Sequence, residues 1–266
     1  LRSRDQGYIK VLLSLLFIGR LHSSLGILDT STITQKTIVN DNITDTEISK
    51  FVNMYFTGVV LEDEPVFEIR SSAGPSGPAM TGILHEAKLL PQTLVKSLEI
   101  FVGNGENSVL QMLNKIREQP NEEVKIQNIF PEIVLKDSFR KITVVEDKEL
   151  KNRVIAIFDY WSQACLKPFH AFVMDALKRI KSDCTFDQMS YKEKILSESG
   201  PFYSFDLKSA TDLMPVSLQV KLVEKILGRE KALAWYNIMV GYGFCVNGSS
   251  EPIHYATGQP MGAYSS

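Results

Sequence analysis

Residues 202–215 read FYSFDLKSATDLMP. An aromatic, apolar run closes on Asp206, a small-residue turn follows, and a second acid, Asp212, stands shortly before Pro215. In an extended segment, alternation puts Tyr203 and Phe205 on one face and Phe202, Ser204 and Asp206 on the other. A strand over 202–206 is therefore expected, with Asp206 at its end, where a carboxylate can leave the core and face a cleft. Phosphoryl transfer needs hard oxygen ligands to hold Mg²⁺ against substrate phosphates, and two-metal nucleotidyl transfer sets its ions about 4 Å apart. The Asp206 carboxylate and the Leu207 carbonyl suit that chemistry. Taken alone, an Asp ending a strand is more often a turn former, and Asp212 is equally suited to a place near a helix N-cap.

Downstream, residues 258–266 read GQPMGAYSS. Gly258, Pro260 and Gly262 bracket Gln259 and Met261. Glycine allows close backbone approach to a ligand, while proline restricts the loop. A loop entering a helix also offers free N–H groups to phosphate. Between these segments, Val216–Met239 has the spacing of one long helix, with Pro215 suited to its first turn. Phe244–Asn247 and Ile253–Tyr255 are expected to form a hairpin around GSSEP.

Upstream, Ile142–Val145 and Arg153–Phe158 are β-branched runs joined by the polar EDKELKN, a hairpin pattern. Lys136, Arg140, Lys141, Lys148, Lys151 and Arg153 surround it, with Asp137, Glu146, Asp147 and Glu149 interspersed. Convergent cations could receive a triphosphate; a solvated, charge-balanced hairpin is the plainer alternative. Tyr160–Ile180 has helical spacing, with Pro168 predicting a kink or break and Trp161 expected as a core anchor. Residues 83–117 also have helical spacing, interrupted at Gly103–Gly105, and SSAGPSGPAMTG (71–82) reads as a loop. Residues 29–50 are polar and threonine-rich, a surface connection leading to a short helix around 47–56. Tyr8–Ile18 is apolar but too short to span a bilayer, which needs about 20 residues. A buried helix is the first expectation there; Arg2, Arg4, Lys10 and Arg20, opposed by Asp5 alone, also fit a basic targeting segment.

Together these elements give an α+β chain rather than an alternating βαβ one. With 29 basic and 31 acidic residues, the net charge of −2 carries no global nucleic-acid signature. Cys165, Cys184 and Cys245 are too scattered for a disulfide framework, and the histidines lack zinc-ligand spacing. No GxxxxGK[ST] loop is present, which argues against a P-loop NTPase.

DLKSATDLMP and GQPMGAYSS resemble the first two palm motifs of mitovirus-type RNA-dependent RNA polymerases. KNRVIAIFDYWSQACLKPFH (151–170) is similar to a finger segment of that family, and CTFDQ (184–188) and SSAGPSGPA to two further signatures. The resemblance implies a right-hand polymerase fold: an N-terminal helical region (1–70), a fingers region (71–200) and the first part of the palm (201–266), ending before a Gly-Asp-Asp motif. It makes Asp206 the catalytic metal ligand, with Leu207 beside it, for Mg²⁺ or Mn²⁺. Asp212 would read the ribose 2′-hydroxyl, and Lys151 and Arg153 would face the triphosphate. Gln259 and Gly262 would support the template base, and Ser265 and Ser266 the nascent pair. Lys208 and Leu213 depart from the family pattern, which usually has a small polar residue and an arginine there. RNA, ribonucleoside triphosphates and a mitochondrial location follow from the same resemblance. Without the third motif, the expectation for the chain alone is inactivity, as in a polymerase relic of the kind inserted in plant mitochondrial genomes; the alternative is a non-enzymatic RNA-binding remnant.

Overall fold

The computed structural model describes residues 6–18, 28–38, 42–59, 61, 64–103, 107–119, 135–146, 152–247, 249 and 251–266. The first helices are α1 (Gln6–Ile18), the single turn α2 (Ser31–Thr34) and α3 (Asp45–Tyr55). The last begins in a capping box: the Thr44 side chain accepts from the Glu47 N–H, and the Glu47 carboxylate accepts from the Thr44 N–H. After the loop of residues 71–78 come α4 (Ala79–Leu89), α5 (Gln92–Val102) and α6 (Ser108–Glu118). Pro91 separates the first two, and the Asn107 side chain starts the third by accepting from the Leu110 N–H at 2.8 Å.

The predicted hairpin forms as β1 (Lys141–Glu146) and β2 (Asn152–Ile157), antiparallel with Lys141 opposite Ile157. Next comes α7 (Tyr160–Leu177), started by Asp159, whose side chain accepts from the Ser162 N–H at 2.7 Å. Pro168 sits inside α7 without breaking it. The remaining helices are α8 (Tyr191–Ser197), the one-turn α9 (Ala210–Leu213), α10 (Val216–Leu227) and α11 (Arg229–Val240). Strand β3 (Cys245–Val246) completes a three-stranded sheet of order β2-β1-β3, running parallel to β1.

The core lies where α5, α7 and α11 meet the sheet. Leu94, Leu98 and Phe101 form one face of α5 at helical spacing, and Trp235, Ile238 and Met239 of α11 are buried in the same cluster. Trp161 is fully buried, as its core assignment requires, and its indole N–H donates to the Ile83 carbonyl at 3.1 Å. Each such large apolar side chain contributes roughly 2 kcal/mol by leaving water.

Several expectations are corrected. Residues 201–207 form no strand: the sheet does not include them, and Phe202, Tyr203, Phe205 and Leu207 are all exposed. Alternation describes a strand only where a neighbour supplies the ladder, and none lies beside this segment among the described residues. The single helix over 216–239 is two, because Gly228 at φ +89° closes α10 and starts α11. Phe244 and Ile253 bridge as expected, but β3 pairs with β1, so the hairpin there is only a bridge. Tyr8–Ile18 is helical but buries none of its residues. The 29–50 connection is not merely surface, since Ile33 is in the core.

Candidate functional site

The two motif segments meet through backbone. The Gly258 N–H donates to the Asp212 carbonyl and the Gln259 N–H to the Thr211 carbonyl, each at 2.9 Å, while the Val216 N–H donates to the Thr257 carbonyl at 2.9 Å. This contact admits no side chain: a β-carbon on Gly258 would lie 2.1 Å from the Thr211 carbonyl oxygen. Asp212 does not cap α10. It sits in α9, half-buried, and accepts from the Thr32 hydroxyl at 2.7 Å. Burial raises its pKa against the lowering effect of that hydrogen bond.

Thr32 belongs to the stretch read as a connection. The Ala256 N–H donates to the Ile33 carbonyl (2.9 Å), the Thr37 N–H to Thr257 Oγ1 (2.9 Å), and the Thr257 hydroxyl to the Gln35 carbonyl (2.8 Å). Residues 32–37 therefore brace both motifs from behind. Threonine-rich composition gave no hint of this long-range role.

The 258–266 turn is fixed on its other side by the fingers elements. The Ala156 N–H of β2 donates to the Met261 carbonyl at 2.8 Å. Gln163 of α7 clasps the turn with both ends of its amide: Nε2 donates to the Gly262 carbonyl, and Oε1 accepts from the Tyr264 N–H, both at 2.8 Å. Ser265, at φ +68°, accepts from the Trp235 indole at 3.0 Å, and its N–H donates to His170 Nδ1 at 3.4 Å. Gln259 is buried, whereas Gly262 and Ser266 are exposed. Arg153 is exposed on β2, the strand that holds Met261; Lys151 lies outside the described residues.

Asp206 and Leu207 are exposed on the irregular 201–207 segment, and Asp206 makes no hydrogen bond or ion pair with the described residues. A carboxylate beside a backbone carbonyl is the right donor chemistry for a hard divalent ion, but it is too few ligands. No group of three His, Cys, Asp or Glu residues able to hold a metal occurs among the described residues. Among the described residues, Asp206 and the Leu207 carbonyl do not by themselves complete a metal centre.

Beside the turn is a cavity of about 220 Å³ lined by Arg70, Ser72, Glu86, Ile155, Gln163 and Gly262, among others. Arg70 lies 5.8 Å from the ring centroids of both Tyr160 and Tyr264. Glu86 is 1 % exposed. It accepts from the Tyr160 N–H at 2.8 Å and meets the Ser76 hydroxyl at 3.0 Å, which also lies 3.2 Å from the Gly82 carbonyl. One hydroxyl proton faces two acceptors, and a proton on Glu86 satisfies both contacts. Burial, with the Asp159 charge adding to it, pushes Glu86 up to about 7 against the hydrogen bonds from Tyr160 and Ser76. A signal for Glu86 was present: it interrupts the apolar face made by Ile83 and Ala87 of α4 and Leu90 just after it.

A carboxyl raised in the folded state stabilises fully below its unfolded pKa and loses that contribution as pH rises through the folded value. The expected loss between about pH 4.5 and pH 8 is about 3 kcal/mol relative to Glu86→Gln, whose amide can donate to Ser76 at any pH. Urea unfolding of both proteins across this range checks it; parallel pH profiles would refute a neutral Glu86.

The family model described as Mitovirus RNA-dependent RNA polymerase matches residues 60–266. The chain belongs to that polymerase family. It is 38% identical over 135 residues to the RNA-directed RNA polymerase of Cryphonectria parasitica mitovirus 1, a match covering 47% of this chain and 16% of the viral protein. An uncharacterized mitochondrial protein of Arabidopsis thaliana is 32% identical over 98 residues, covering 35% of this chain and 39% of that protein. The chain thus spans well under half of either relative. No solved structure matches. No helix among the described residues is long and apolar enough to cross a membrane.

Proposed function

We propose that this chain is the fingers and first palm portion of a mitovirus-type RNA-directed RNA polymerase, acting in mitochondria. Residues 1–70 form an N-terminal helical region, 71–200 the fingers and 201–266 the start of the palm. The observation that carries this is the backbone pairing of residues 211–212 with 258–259, braced by Thr32 and Gln163. It brings the acid-bearing segment and the glycine turn together in one place.

In the intact reaction an RNA 3′-hydroxyl attacks the α-phosphate of a templated ribonucleotide and pyrophosphate leaves. A bound divalent ion supplies charge neutralisation at those phosphates. Asp206 and the Leu207 carbonyl would contribute to holding that ion. Asp212 uses one carboxylate oxygen on Thr32 and offers the other to the ribose 2′-hydroxyl. Thr32 fixes its direction, so the acceptor is positioned before substrate arrives. Lys151 and Arg153 meet the triphosphate. Gln259 and Gly262 support the templating base through the shape of the turn, and Ser265 and Ser266 the nascent pair. The lone, exposed Asp206 also favours a second reading, in which the 266-residue polypeptide by itself binds RNA without catalysis.

Both readings predict RNA binding that rests on few cations. Affinity for a single-stranded RNA should fall steeply with salt and by roughly tenfold on joint Lys151→Ala and Arg153→Ala substitution. Filter binding across a salt series measures both. Affinity untouched by the double substitution would remove these residues from the RNA or triphosphate path.

A further inference from the structure

Helix α1 has no place in the core. None of its residues is buried, and Val11, Leu15, Leu16 and Ile18 all stand exposed, Leu16 at 76%. Gln6, Lys10 and Ser14, spaced i, i+4 and i+8, share one narrow polar stripe, and apolar residues occupy most of the remaining circumference. A helix that is apolar over most of its girth is stable only when something apolar covers it. At 13 residues it is about 20 Å long, well short of a hydrocarbon core of about 30 Å. It can therefore lie in a membrane surface but cannot span one.

The charge of the surrounding sequence selects the surface. Residues 1–20 carry Arg2, Arg4, Lys10 and Arg20 against Asp5 alone, while the whole chain is net negative at −2. Lys10 on the helix, with Arg2, Arg4 and Arg20 flanking it in the sequence of an otherwise acidic protein, complements anionic headgroups.

We propose that α1 is an interfacial anchor that seats this protein on an anionic phospholipid surface, apolar side chains among the acyl chains and the Lys10 stripe at the headgroups. This goes beyond the polymerase assignment and does not depend on it. The full chain is tested by flotation with vesicles of phosphatidylcholine alone and of phosphatidylcholine mixed with phosphatidylglycerol. Binding is expected on the mixed vesicles, weaker on the neutral ones, and reduced by added salt. Joint Leu15→Asp and Leu16→Asp substitution should lower the bound fraction about tenfold or more, and Lys10→Glu several-fold. Leu233→Asp, an exposed apolar position on α11, should leave binding unchanged. These side chains are at the surface, so an unaltered circular dichroism spectrum separates lost binding from lost folding. No flotation on mixed vesicles would overturn the proposal and leave a protein partner as the cover. Equal binding to both vesicle types, or binding indifferent to the Leu15 and Leu16 substitutions, would overturn it as well.

Discussion

Asp159→Ala should destabilise the protein by about 4 kcal/mol, the range found when one member of a buried ion pair is removed. Asp159 and Arg140 are both fully buried side chains, 3.8 Å apart from Nε to Oδ2. The guanidinium is also surrounded by the rings of Phe139, Phe158, Tyr242 and Phe244, at 4.4–5.8 Å, and donates to the Ile238 carbonyl of α11. Burial raises the Asp159 pKa even though Arg140 opposes the shift, and burial lowers that of Arg140. Desolvation is thus the dominant effect on both, and each charge is tolerable only beside the other. Removing Asp159 strands the cation and deletes the α7 N-cap, itself worth about 1 kcal/mol. Joint Arg140→Met and Asp159→Asn substitution should cost distinctly less than Asp159→Ala, since no charge is left behind. Denaturant unfolding of the three proteins decides this; a double variant as unstable as the single would show that packing, not charge, dominates there.

Gly258→Ala is expected to cost roughly 3 kcal/mol, at the top of the range for overpacked sites. The atoms in the way are the backbone of Thr211 and Asp212, at 2.1–2.5 Å from the added carbon, and backbone cannot swing aside as a side chain can. Relief requires the turn to move off the acid-bearing segment, breaking the two 2.9 Å hydrogen bonds between them. Ligand binding at the site should then weaken along with stability. Gly200→Ala is the control, because a β-carbon there meets nothing within 4 Å. It should shift the melting temperature little. A Gly258→Ala protein as stable as the parent would mean that the two motifs are not in contact in solution.

What sequence could and could not disclose follows from the range of the interactions. The hairpin, the break at Gly103 and the burial of Trp161 depend on local propensity and periodicity, and all were legible, whereas the break at Pro91 inside the 83–117 helical spacing was not read. Gly228 was misread because apolar spacing continues across it, while its positive φ is a local event inside an otherwise helical pattern. Residues 201–207 have a strand's alternation but no ladder partner, and pairing is not a property of one segment. At the candidate site, the resemblance of two segments to family motifs, rather than residue type alone, singled out Asp206, Asp212 and the glycine turn. Thr32, Gln163 and His170 went unnoticed because each acts across a long stretch of chain on backbone or on one carboxylate. Nothing in their neighbours marks them.

The most direct measurement is a calorimetric titration of the protein and of Asp212→Ala with magnesium GTP and magnesium 2′-deoxy-GTP. A hydrogen bond to a charged group is worth about 1.5–3 kcal/mol, so the ribonucleotide should bind roughly tenfold or more tightly to the parent protein. Asp212→Ala should bring the ratio to about one, and a ratio is insensitive to the fraction of protein that is folded. Equal affinities in the parent, or a preference that survives in Asp212→Ala, would contradict a ribose-reading Asp212 and with it the polymerase site proposed for these two motifs.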